Sequence, residues 1–531
     1  MSNYNSMLKE EKSVKNYEGA KAYTMTPELE LYTAVVTASL SDTNYEKQDE
    51  RVERISQLIG KVSPEFVARL AIYTRTVMNL RSIPLLLLVE LAKIHNGDDL
   101  VARAVEKTVL RADEIMELLM CYQWRNVAQS GSNGNLLTMP SRSNVTERSP
   151  SHGPRKKLGR LSRQIQNGLQ RAFNRFDEYQ FAKYDRDNLE VRLRDALFLV
   201  HPKAKDEKQQ ALFDKIVNRS LETPYTWETE LSALGQQHFE SEEQKKDAFR
   251  YKWEELIDSR KLGYMSMMRN LRNMLQSDVS LPKMMDVASR LSDADQVARS
   301  RQLPFRYLSA YREIENVDSL HTTMLMNALE SAVKCSAANI EGFDENTRVL
   351  LASDVSGSMW STVSKNSTVR HFDIGILLSM LLRSRCKQVV AGIFGNDWKV
   401  VNMPSDNILM ATRQLEKLGN TVGFSTNGYK VINWLSKNNM VMDKVMMFTD
   451  MQMWDSTASN QYIEKSWRQY KKTAPDAKLY LFDLVGYGQL PIRQMENDVY
   501  LIAGWSDRVF DVLSAIDKGE DALDVINKID V

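Results

Sequence analysis

The chain has little cysteine: three residues in 531, Cys121, Cys335 and Cys386, far apart, with no CxxC pair and no histidine at metal-ligand spacing. That argues against a disulfide scaffold and against a thiolate zinc site. Net charge is also missing. A formal charge of +1 excludes an overall polybasic chain, although 70 basic and 69 acidic side chains leave room for strong local fields. Long apolar runs are absent too. The most apolar stretch of the N-terminal half, Ile83 to Leu91, contains Pro84 and Glu90 and is too short to span a bilayer. The first residues, MSNYNSMLKEEKSVKNYEG, carry no apolar segment of the signal-peptide kind. The expectation is a cytoplasmic protein without membrane contact.

What is present is 43% hydrophobic residues, enough core for roughly two to four domains. From Glu28 to about Ala338 apolar residues recur at helical spacing, as in Phe66, Leu70, Ala71 and Tyr73, then Ala102, Val105, Val109 and Ile115. Breaks at Ser63-Pro64, Asn96-Gly97-Asp98 and Arg111-Ala112-Asp113 predict short paired helices stacked in a HEAT-like array. An irregular all-helical bundle fits the same periodicity. Gln129 to Pro154, rich in Ser, Gly, Asn and Pro, reads as an exposed loop. The segment after it carries Arg155, Lys156, Lys157, Arg160, Arg163, Arg171 and Arg175, with no acidic residue before Asp177. Such a field suits phosphate neutralisation. The plainer alternative is a solvated amphipathic helix with Leu161, Ile165, Leu169 and Phe173 inward.

Beyond residue 345 the texture changes. Short apolar runs at Val349 to Ala352, Val389 to Phe394, Val445 to Phe448, Leu479 to Leu484 and Val499 to Ala503 alternate with helical segments at Phe372 to Arg385, Asn407 to Leu418, Tyr429 to Ser436, Tyr462 to Lys472 and Arg508 to Ile516. Strands separated by helices of this length require crossover connections and predict a doubly wound, largely parallel α/β domain.

The run RVLLASDVSGSM places Asp354, Ser356 and Ser358 just past the first of these strands, where open α/β sheets present ligand sites. VGFSTNGY puts Thr426 on a loop before a helix, and KVMMFTDMQ puts Asp450 at the end of another strand. Two carboxylates and three hydroxyls form an oxygen shell of the kind Mg²⁺ or another hard divalent cation takes. Without a function, Thr426 is a helix N-cap and Asp450 a turn residue. The five residues together resemble the metal-ion-dependent adhesion site of von Willebrand A domains. In that family the ion is not a hydrolytic centre; it bridges to an acidic group on a partner. No nucleophile and base accompany the pattern, and a metal-dependent hydrolase or nuclease would need more carboxylates than Asp354 and Asp450. The expectation is a protein that is not an enzyme.

NYEGAKAYTMTPELELYTAVVTASL near the start, DEYQFAKYDRDN, LFLVHPKAK and GYMSMMRNLRNM, joined to such an A domain, resemble the TROVE domain of Ro ribonucleoproteins. The resemblance implies a TROVE domain over residues 16–343 and a von Willebrand A-like domain over 344–531. It further implies a closed, monomeric ring of helical repeats that binds small structured Y-type RNAs outside and single-stranded RNA ends in its hole. An exoribonuclease is a candidate protein partner. By the same resemblance Lys183, Arg186, His201 and Lys203 correspond to RNA-contacting positions, although a lone histidine such as His201 also reads as a packed or capping residue. Arg269 and Arg272, spaced i, i+3, suit either a backbone phosphate or a structural salt bridge. Met265, Met267, Met268 and Met274 around them read as packing. The leading expectation is a non-enzymatic RNA-binding protein with metal-dependent docking; the rival is a protein-interaction scaffold without RNA.

Overall fold

The computed structural model describes residues 12–38, 43–129, 160–187, 189–336, 346–363, 367–402, 406–457, 462–493, 498–505, 508–517 and 519–531. Among these residues no helix is long and apolar enough to cross a membrane. The expected loop from Gln129 to Pro154 lies, but for its first residue, outside the described residues, as do Arg155, Lys156 and Lys157.

Two compact units emerge. One comprises the described residues of 38–41, 47–225 and 523–531 and is helical. Its breaks fall where turn chemistry places them. Ser63 accepts the Phe66 N–H at 3.2 Å and caps Pro64–Thr76, and Asp98 accepts the Leu100 N–H at 2.8 Å to start Leu100–Thr108. The helix Arg163–Phe173 lies tightly on Leu100–Thr108 because Gly168 has no side chain: a Cβ there would stand 2.5 Å from the Val105 Cβ. Ile165, Leu169 and Phe173 are fully buried, as the periodicity predicted, whereas Leu161 precedes the helix and is only half-buried.

The other unit comprises the described residues of 1–37, 42–46 and 226–522. It opens with a hairpin, β1 (Ser13–Lys15) and β2 (Lys21–Thr24). Helices follow from Trp227–Gly235 through Thr322–Ser336, then the strands β3 (Arg348–Asp354), β4 (Gln388–Phe394), β5 (Trp398–Val400), β6 (Lys444–Thr449), β7 (Lys478–Asp483), β8 (Gln489–Leu490) and β9 (Val499–Ala503). Six of the strands make one sheet in the order β5-β4-β3-β6-β7-β9, parallel except for the β4–β5 pair. The helical texture followed by a doubly wound sheet is thus the α plus α/β organisation that the sequence predicts. Both faces of the sheet are covered, as continuous apolar strands require. Leu350, Ala352, Val445 and Met447 join one core with Val431, Ile432 and Trp467 of the flanking helices, while on the opposite face Gly375 of the helix His371–Arg385 sits against Phe448 and Leu484.

Tyr23 and Met25 of the N-terminal segment belong to the same core, and β2 pairs with β8. The helices from Trp227 onward are tied to the sheet by charge: Arg312 bonds Asp373 at 2.5 Å and Glu416 at 3.1 Å, and the Glu330 carboxylate accepts the N–H groups of Leu409 and Met410 at 3.0 and 2.8 Å. Compactness and chain texture therefore divide the protein at different places. Burial of the hairpin and of these ionic ties, rather than position along the chain, sets the compact unit.

Candidate metal centre and basic surface

Asp354 is the last residue of β3, and Asp450 follows the last residue of β6. The two strands are neighbours, so both carboxylates reach one edge of the sheet, at the switch where the chain leaves β3 for β4 on one side and later enters β6 on the other. Ser356 and Ser358 lie on the turn after β3 with their hydroxyl oxygens 3.4 Å apart. Thr426 arrives from a loop pinned by several hydrogen bonds. The Gly357 N–H donates to the Phe424 carbonyl at 2.8 Å, the Ser425 N–H to Asn396 Oδ1 at 2.7 Å, and the Asn427 N–H to the Gly395 carbonyl at 3.0 Å. Gly423, at φ +74, makes the bend, and a Cβ there would strike the Asn396 side chain. Thr426 is not a helix N-cap, since Gly428 precedes the helix Tyr429–Lys437.

All five predicted residues are buried and come together. Asp354 Oδ1 accepts the Ser356 N–H at 2.8 Å and its Oδ2 the Thr449 hydroxyl at 2.7 Å. Asp450 is partly the turn residue that its plainer reading offered, because Oδ1 accepts the Gln452 N–H at 3.0 Å. Its Oδ2, however, is enclosed without a hydrogen-bond partner. Burial raises both carboxyls above the usual aspartate range, and the charge of Asp354 raises Asp450 further; hydrogen bonds from Ser356 and Thr449 to Asp354, and from the Gln452 N–H to Asp450, act in the opposite sense. Two enclosed carboxylates with an orphaned oxygen and three hydroxyls are a donor set that a hard cation would satisfy. Among the described residues no three His, Cys, Asp or Glu side chains gather, so any ligand field here rests on hydroxyls as much as on carboxylates. A cleft of about 610 Å³ opens on the site and is lined by Ser358, Thr426, Asn396 and Trp454, and also by Glu18 and Tyr45. Thr449, Glu18 and Tyr45 were not found by sequence reasoning. Thr449 adjoins Asp450 in the motif, whereas Glu18 and Tyr45 carry no local signal.

The described basic residues fall in both units and differ in their partners. In the helical unit Arg160, Arg163 and Arg186 are exposed and make no ion pair with another described residue. Arg171 pairs with Glu106 at 3.1 Å, and Arg175 donates to the Val109 carbonyl. His201, at φ 50, caps the helix Leu193–Val200 in the left-handed conformation. Its carbonyl and that of Lys203 accept from Gln170 and Asn174, which brings this loop beside the helix Arg163–Phe173. Lys183 lies 5.8 Å from the rings of Tyr179 and Tyr184. In the other unit, Arg272 pairs with Glu313 at 3.3 Å, the structural alternative weighed for it, and Arg269 is exposed. Met267, Met268 and Met274 are buried as packing, with Met265 partly so.

Sheet order and the position of the oxygen cluster define the class: a von Willebrand A-type domain within a largely helical chain. The TROVE domain model matches residues 10–251 and 220–341, and the Ro60 vWA domain model matches 348–516. The chain belongs to the TROVE-domain family of Ro proteins. It is similar to the crystal structure of the Deinococcus radiodurans Ro (RSR) protein, with a TM-score of 0.56 and 18% identity over 93% of this chain and 100% of that one. Similar curated proteins include telomerase protein component 1 of Mus musculus, 38% identical over 99 residues, and that of Rattus norvegicus, 37% identical over 99 residues. The matched stretch is 19% of this chain and 3% of each of those relatives.

Proposed function

We propose that this chain is a non-enzymatic, cytoplasmic RNA-binding protein that holds a small structured noncoding RNA of the Y type, receives single-stranded RNA ends, and docks an acidic partner through a divalent cation. The observation that carries the reading is the match of the TROVE domain model over residues 10–251 and 220–341, which span the tract with Arg160 and Arg163 exposed. Guanidinium groups without an acidic partner among the described residues are available to phosphates and can stack on unpaired bases. In the A-type domain Asp354, Ser356, Ser358, Thr426 and Asp450 would hold Mg²⁺. When bound, the ion supplies a Lewis-acidic position for a carboxylate of another molecule, an exoribonuclease being one candidate. The chain's own residues do the rest: Thr449 orients Asp354, and the pinned loop presents Thr426.

Purification with and without ribonuclease, followed by gel shift with a structured RNA and with a single-stranded RNA, tests the proposal. A nuclease-sensitive absorbance near 260 nm and salt-sensitive binding are expected. The pairing of Arg171 and Arg272 with carboxylates favours the rival, a protein-binding scaffold. Absence of RNA binding at low salt with the metal site intact would decide for it.

A further inference from the structure

The cleft beside the five oxygen donors has a wall that does not come from the six-stranded sheet. It is the turn between β1 and β2, with Tyr45 beside it. Asn16 anchors the turn: its Nδ2 donates to the Met453 carbonyl at 2.9 Å, and its Oδ1 accepts the N–H groups of Glu18 and Ala20 at 3.1 and 2.8 Å. The Tyr17 N–H donates to Gln452 Oε1 at 2.9 Å. Gln452 is the residue whose own N–H holds Asp450, so the turn is fixed to the loop that carries a site carboxylate.

A cluster of tyrosines stiffens the arrangement. Tyr17 stacks on Tyr45 at 5.1 Å, and both meet Tyr487 edge-on at 5.4 Å. The Tyr45 hydroxyl donates to the Glu18 carboxylate, and Tyr45 lines the same cleft as Ser358. Glu18, an exposed residue on a turn, is thereby held in the cleft with Ser358 and Thr426. Glu18 thus puts a third carboxylate on the wall of the cleft that opens on two buried ones, and closer approach is repelled unless a cation offsets the charge. Two backbone anchors, an aromatic stack and a hydroxyl donor nevertheless maintain it there.

We propose that Glu18 is itself a ligand of this centre: a divalent cation bound by the five residues draws the Glu18 carboxylate into the position that a partner's acid would take, so an outside acid must displace it. The inference rests on the reading of those five residues as a cation site. It makes the N-terminal hairpin an internal competitor for docking.

Mn²⁺ titration of the full-length chain, with the number of bound waters read from water-proton relaxation, tests it. Glu18→Gln keeps the side-chain shape and is expected to weaken Mn²⁺ binding about tenfold and to add one inner-sphere water, because ligand charge sets affinity. Tyr45→Phe, which retains the stack but loses the hydroxyl, should shift both quantities in the same direction by less. Acetate should bind the Mn²⁺-loaded Glu18→Gln protein more tightly than the wild type. Unchanged affinity and hydration in Glu18→Gln, with Mn²⁺ binding lost in Asp450→Asn, would overturn the role of Glu18 while leaving the cation site standing. Failure of the wild type to bind Mn²⁺ would overturn both.

Discussion

Thr449 and Asp354 meet across the two central strands: the threonine hydroxyl at the end of β6 donates to Asp354 Oδ2 at 2.7 Å. Both are completely buried. The bond fixes one carboxylate oxygen and orients the other toward the turn of Ser356 and Ser358. Thr449→Val keeps the volume and removes the donor. Its Mg²⁺ affinity should drop roughly tenfold or more, as losses of outer hydrogen bonds at metal sites do. Calorimetric titration reads the effect, and an unchanged affinity would mean that Asp354 needs no such orientation.

The ion-free protein should respond to pH through Asp354 and Asp450. Their carboxyls bind protons more tightly in the folded chain than in the unfolded one, Asp450 being pushed up to about 7. Between roughly pH 4 and that value the folded state holds more protons, so in chelator stability falls as pH rises through the window and levels off above it. Asp450→Asn should remove much of the fall. At pH 8 in chelator it should melt about 3 °C or more above the wild type although it has lost divalent-ion binding. Added Mg²⁺ should stabilise only the wild type. A wild type whose melting temperature is flat from pH 4 to pH 8 would count against the buried pair.

Arg312 and Asp373 tie a helix of the TROVE region to the first helix after β3. The Asp373 carboxylate is wholly buried and Arg312 is 10% exposed. Arg312→Met leaves a buried carboxylate without its guanidinium, at a cost of about 3 to 5 kcal/mol. Asp373 keeps its bond from the Arg370 N–H, 2.8 Å long, so the lower part of that range applies. Urea unfolding should show the loss, and Arg312→Met with Asp373→Asn together should recover part of it.

The strands of the A-type domain were legible because apolar runs such as Val445 to Phe448 admit little other than a covered parallel strand. Helix ends agreed within one or two residues: Asn407 to Leu418 was expected and Ile408–Gly419 is observed. The convergence of the five oxygen-bearing residues was legible because D-x-S-x-S marks a strand end and fold topology brings the other ends to it. Glu18 and Tyr45 were not, since each reaches the site through pairings with residues more than 300 positions away, such as β2 with β8 and Tyr45 with Tyr487. Strand β8 is two residues long and leaves no periodicity to read. The basic tract was legible as charge but not as available charge. Whether an arginine faces solvent or a carboxylate depends on neighbours such as Glu106 and Glu313, which lie on other helices.

That distinction makes the RNA prediction specific. Arg160 and Arg163 are exposed without an ion pair to another described residue, whereas Arg171 lies 3.1 Å from Glu106 and Arg272 lies 3.3 Å from Glu313. A paired arginine must give up its carboxylate to contact a phosphate, so it contributes less to counterion release. Arg160→Glu with Arg163→Glu should therefore weaken RNA binding and lower the slope of log affinity against log salt by about 0.7 to 0.9 for each lost contact. Arg171→Ala and Arg272→Ala should leave that slope within error, and because both pairs are solvent-exposed each should change stability by less than about 1 kcal/mol. Filter binding between about 50 and 200 mM salt separates the cases. If the paired and unpaired arginines lowered the slope equally, side-chain pairing in the free protein would not govern phosphate contact. If neither pair of substitutions changed it, the phosphates would have to be met elsewhere, with Arg155, Lys156 and Lys157 the next residues to reverse.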